Sequence, residues 1–149
     1  MNKLMVTALA AALGWIITTT PVSADQMTLG DVKAQNIPKV TKEEITALLP
    51  GSTFQQATGG GGNYKGQVYW KHETDGTLNG MRTVALANSV RAGKWWVGDD
   101  GAYCVDIHGQ TADEAFKWCM TLFKVGDNYF GFGPKANDST RANSFTLKK

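Results

Sequence analysis

The strongest constraint on the fold is one pairing between two stretches near the middle of the chain. Ala102–Ile107 and Phe116–Met120 each alternate, and each carries one of the two cysteines. Placing Cys104 opposite Cys119 puts Asp106 opposite Lys117 on the same face. It also puts Tyr103 opposite Met120, Val105 opposite Trp118 and Ile107 opposite Phe116 on the other face. One antiparallel register thus satisfies both cysteines, an ion pair and three apolar pairs. Each cross-strand pair of this kind contributes roughly 0.2–1 kcal/mol. A slip of one residue would set the charges among the apolar partners. The sequence therefore predicts a hairpin with its loop around Gly109–Glu114. A short helical turn is the other reading of that loop, because Thr111-Ala112-Asp113-Glu114 resembles a helix start.

The N-terminus supplies the compartment in which such a disulfide persists. Lys3 is followed by an apolar run from Met5 to Ile17, then by Pro21 and the small residues Val22-Ser23-Ala24. This is the pattern of a cleaved secretory signal over residues 1–24, cut after Ala24. The run is shorter than the roughly 20 residues needed to span a bilayer, so no stable membrane anchor is expected. The implied location is periplasmic or secreted. There Cys104 and Cys119 are expected to be disulfide-bonded rather than reactive or metal-bound. Removal of the signal takes one of the 15 basic residues and none of the 13 acidic ones. The remaining charge is near balance and scattered, which argues against nucleic-acid binding.

Residues 25–40 lack periodicity and read as an extended arm. Residues 41–149 read as one β-rich domain. A helix is expected over Thr41–Leu49. Thr41 and Glu44 form a capping box, Val40 and Ile45 a hydrophobic staple, and Pro50-Gly51 the stop. Gln67–His72 alternates, with Val68, Trp70 and His72 on one face. Glu73-Thr74-Asp75-Gly76 is a hairpin turn. Thr77–Leu86 is a further strand in which Gly80 marks a bulge, and Ala87–Ala92 reads as an irregular link. Gly98-Asp99-Asp100-Gly101 closes a hairpin. With a two-residue turn there, Trp96 joins the face of Tyr103, Val105 and Ile107, and Trp95 joins that of Cys104. Val125–Asn128 turns the chain into Tyr129–Phe132, and Ala142–Leu147 makes a last strand. Phe123, Phe130 and Phe132 share the cysteine face, so both faces of the sheet need cover. The expected architecture is all-β, a small antiparallel barrel or curled sheet of six to eight strands with one short helix.

No catalytic constellation stands out. Asp106, His108 and Lys117 are a conceivable acid–base group, but no nucleophile accompanies them. Thr58–Asn63 is glycine-rich but lacks the Lys-Ser/Thr pair of a phosphate loop. Two histidines and two cysteines at these spacings complete no zinc pattern, so neither metal nor cofactor is expected. Trp70, Trp95, His108 and His72 are the candidate ligand or partner surface. Gly59–Asn63 and Gly109–Glu114 are candidate loops for gripping a protein.

Gly93, Trp95, Val97, Asp100, Gly101, Cys104, Trp118, Cys119, Gly126, Asp127 and Tyr129 carry a further pattern, G-x-W-x-V-x-x-D-G-x-x-C, then W-C, then G-D-x-Y. In this the chain resembles small exported proteobacterial domains of unknown function, of the rhizobial type. The resemblance implies export and a β-rich domain, and carries over no catalytic residue. Gly51-Ser52-Thr53-Phe54 after a short helix is also similar to the G-x-W opening of lipocalin-like barrels, with Phe54 in the tryptophan position. The expected function is a non-enzymatic binding or envelope-associated protein with an unknown small ligand or envelope partner. The alternative is an inhibitor or interaction module acting on an envelope or secreted enzyme.

Overall fold

The computed structural model describes residues 27–59, 65–84, 87–108 and 115–149. The candidate loops Gly59–Asn63 and Gly109–Glu114 thus lie outside the described residues, apart from the backbone of Gly59. Eight strands follow one another as sequential antiparallel neighbours and close into a barrel. They are β1 (Thr53–Gly59), β2 (Lys65–His72), β3 (Thr77–Val84), β4 (Ala87–Val97), β5 (Tyr103–His108), β6 (Phe116–Val125), β7 (Asn128–Phe132) and β8 (Asn143–Lys148). The closing pair joins Thr53, Phe54 and Gln55 of β1 to Lys148, Leu147 and Thr146 of β8. Closure over these three pairs joins the two edges that an open sheet would expose along their whole length.

The register expected for β5 and β6 is the one observed. Cys104 faces Cys119, Asp106 faces Lys117, and Val105 faces Trp118. The cysteines are disulfide-bonded, and the Asp106 carboxylate lies 3.8 Å from the Lys117 ammonium. The β4–β5 hairpin departs from expectation. Its loop holds one residue more than a two-residue turn, because Val97 pairs with Tyr103 and the Gly98 amide bonds to the Ala102 carbonyl. Gly101 takes the left-handed conformation that this longer turn requires, at φ 77°. The extra residue reverses the parity of β4. Trp95 therefore faces inward opposite Val105, and Trp96 faces outward opposite Cys104, beneath the Lys117 ammonium.

Two further expectations are corrected. Ala87–Ala92 is the first half of β4, not a link. Its alternation is hidden because the inward positions Ala87, Ser89 and Arg91 are small or polar while Val90 faces outward. Gly80 marks no bulge, since the Trp70–Gly80–Arg91 ladder is continuous. A Cβ at Gly80 would sit 2.3 Å from the Trp70 ring and 2.1 Å from the Tyr69 carbonyl oxygen. Glycine is there to let the indole lie flat across β3.

The interior holds Phe54, Trp70, Leu78, Tyr103, Val105, Ile107, Leu122 and Phe145, all buried. Helix α2 (Lys42–Leu48) forms as expected, with Thr41 and Glu44 capping reciprocally. It does not cover an outer face. Ile45 and Leu49 are fully buried in the same cluster as Tyr103 and Leu122, so α2 plugs one end of the barrel. The Val40 amide fixes it there by bonding to the Leu122 carbonyl at 2.8 Å.

The arm expected to be extended contains a second helix, α1 (Leu29–Ala34), whose Thr28–Asp31 capping box matches that of α2. Its Val32, with Met27, packs on Phe130 and Phe132 outside β7. That is the cover required by the phenylalanines on the cysteine face. Among the described residues, no helix is long and apolar enough to cross a membrane.

Candidate functional site

Strand direction assigns the two ends of the barrel different characters. The turns after β2, β4 and β6 lie beside α2 at the plugged end. Strands β1, β3, β5 and β7 run toward the other end, the mouth. Inward-facing residues change along each strand accordingly. Next to the plug they are apolar or paired. Toward the mouth they include Gln56, Arg82, Ser89 and the buried Arg91, whose Nε donates to the Ser89 hydroxyl at 3.3 Å and whose guanidinium lies 5.7 Å from the Phe116 ring centroid.

The candidate residues separate between these zones. His72 is fully buried near the plug. Its Nδ1 lies 3.2 Å from the Ser52 carbonyl and its Nε2 lies 2.7 Å from the Tyr103 hydroxyl. A carbonyl only accepts, so Nδ1 carries the proton and Nε2 accepts from the Tyr103 O–H. Burial drives the imidazole pKa down to about 4, against a smaller opposing effect of the Ser52 carbonyl. Burial also raises that of the Tyr103 hydroxyl. Both groups are neutral and satisfied. Trp95 lies edge-on to His72, with ring centroids 5.6 Å apart, and its indole N–H donates to the Glu73 carbonyl. Trp70 is buried among the core residues. His108 is exposed at the mouth end of β5, on the outer face with Asp106. His72 and the Asp106–His108–Lys117 group therefore lie on opposite sides of the barrel wall. Among the described residues, no three potential metal ligands converge.

The structure brings together a different group. A cavity of about 240 Å³ opens at the mouth between Phe54, Gln56, Trp118, Met120 and Asn143, beside Gly133 and Pro134. Three local features create it. β8 pairs only with Thr53–Gln55, so from Gln56 onward β1 is bonded to β2 alone and the wall parts. Gly131 faces inward without a side chain, and a Cβ there would meet the Met120 sulfur at 2.4 Å. Met120 thus leans across β7. Trp118 forms the opposite wall and meets Tyr103 edge to face at 5.5 Å. The Asn143 side-chain amide contacts the Met120 sulfur at 3.7 Å. The result is an aromatic and thioether pocket with two neutral amides, Gln56 and Asn143, at its rim.

In the sequence Trp118 and Met120 enter as inward partners of Val105 and Tyr103, whereas Gln56 and Asn143 as site residues are missed. The alternation Phe54, Gln56 was available as a signal that a polar side chain follows the core residue inward on β1. The incomplete β1–β8 seam was not available, since it depends on closure. Comparison of the chain with protein families, with curated proteins and with solved structures finds no match.

Proposed function

We propose that this chain is an exported, non-enzymatic small-molecule binding protein that takes its ligand at the mouth of the barrel. The observation that carries the reading is the Trp118-walled cavity. It is concave and mostly apolar, with a few polar groups at its edge, as ligand sites are. Gln56 and Asn143 offer neutral donors and acceptors, which suits a small uncharged ligand with an aromatic or other flat apolar face. The signal-like N-terminus and the Cys104–Cys119 disulfide support export. A fragment screen by proton–nitrogen NMR tests the site. Neutral fragments that shift the Trp118 indole and the Gln56 and Asn143 side-chain amides support it. Hits confined to the outer wall contradict it.

A second reading, an interaction module for an envelope or secreted enzyme, is favoured by one surface. The outward positions Gln55, Tyr69, Met81 and Val90 form one row across β1–β4. Val90 is 67% exposed and Met81 38%. The adjoining row of Ala57, Gln67, Thr83 and Asn88 is also uncharged. Depletion of charge with exposed Met and Tyr is the composition of interface cores. Val90→Glu combined with Met81→Glu should leave the melting temperature unchanged and abolish co-purification of an envelope protein. Co-purification unaffected by the pair of charges counts against this surface.

A further inference from the structure

The plugged end of the barrel carries a second, larger depression. A trough of about 770 Å³ runs between α2 and the β6–β7 end of the wall. Its floor is Val40, Leu48 and Tyr129, with Val40 and Tyr129 held in the core cluster. Lys39, Lys124 and Lys149 stand around it, with Glu44 as the acid among its lining residues. Glu44 is already engaged, because its carboxylate accepts the Thr41 amide at 2.7 Å in the helix cap.

The lysines are engaged differently. Lys39 donates to the Asp100 carbonyl, and Lys149 to the Ala47 carbonyl at 3.0 Å. The Lys124 ammonium lies 5.4 Å from the Tyr129 ring centroid. Among the described residues, none of the three meets a carboxylate, whereas Lys33, Lys42, Lys71 and Lys117 each do. Each ammonium has three donors, so Lys124 and Lys149 retain unused capacity beside apolar surface. An apolar floor rimmed by uncompensated cations is complementary to a molecule with one anionic head and one apolar tail.

We propose that this trough binds a free single-chain amphipathic carboxylate. The head sits at Lys124 and Lys149, and the chain lies along Val40, Leu48 and Tyr129. The site is at the opposite end of the barrel from the Trp118 cavity, so the two stand or fall separately.

Calorimetric titration of the full exported protein with sodium decanoate, well below micelle formation, tests it. Saturable binding is expected, with NMR shifts at Val40, Leu48 and Tyr129. Lys124→Gln should weaken it at least tenfold, and the Lys124→Gln, Lys149→Gln pair further still. Lys124 is exposed, so the single variant keeps the test valid should the pair misfold. Decyltrimethylammonium, with the same tail and the opposite charge, should not bind. Equal affinity for the two amphiphiles overturns the proposal. So does undiminished binding by Lys124→Gln, or decanoate shifts that fall at Trp118. Binding to anionic phospholipid vesicles without any binding of decanoate also overturns it.

Discussion

The His72 imidazole accepts a hydrogen bond from the Tyr103 hydroxyl at 2.7 Å, with no water-accessible surface on either residue. A titratable group sealed in this way ties the stability of the barrel to pH. The pKa of His72 is about 4 in the folded chain and lies near 6.5 when the chain unfolds. Above 6.5 both states are neutral and the barrel has its full stability. As pH falls from 6.5 toward 4, the unfolded state gains a proton that the folded state refuses. Stability is lost across that window, by roughly 3 kcal/mol in all. The His72 ring protons, followed by NMR, should titrate near pH 4. A His72 midpoint near 6.5 contradicts the sealed arrangement.

Crowding at Gly80 and openness at Gly133 give a paired prediction. Gly80→Ala drives a methyl into a backbone carbonyl and the Trp70 ring, neither of which can yield without shifting the sheet. It should cost about 1–3 kcal/mol or more in urea unfolding. Gly133→Ala meets nothing within 4 Å and should stay within about 0.5 kcal/mol of the parent. Equal effects would mean that Trp70 does not lie across β3.

Replacing Cys104 and Cys119 together by alanine should destabilise the barrel by roughly 3 kcal/mol, the value for a closed loop of about 15 residues in the chain-entropy view. The register should survive, because Tyr103–Met120, Val105–Trp118 and Ile107–Phe116 hold it independently. Backbone amide NMR of the double variant checks both points. A shifted β5–β6 register would show that the disulfide, not the side-chain pairs, sets the alignment.

The β5–β6 pairing was legible because two cysteines, two opposite charges and three apolar pairs all demanded one alignment. Helix α2 was legible for a similar reason, since cap, staple and stop agreed. Where one residue decided the outcome, the reading failed. A single extra residue at Gly98–Ala102 exchanged the roles of Trp95 and Trp96. Gly80 resembles a backbone irregularity in the sequence because its actual partner, the Trp70 ring, lies on the neighbouring strand. Helix α1 carried a visible Thr28–Asp31 cap, but its six residues show too little periodicity to stand out. The mouth cavity was the least legible feature. It arises from the short β1–β8 seam and from Met120 leaning over Gly131, and both exist only once the barrel closes.

Occupancy of the Trp118 cavity by a small molecule is what the proposed function stands on. Gln56→Trp places an indole in that cavity from a position at its rim, without touching the Trp70–Tyr103 core. Native mass spectrometry of the protein purified from its own cells, parent against Gln56→Trp, is the most direct measurement. The parent should retain a small molecule and the folded variant should not. Two bare chains, or the same molecule retained equally by both, would contradict it.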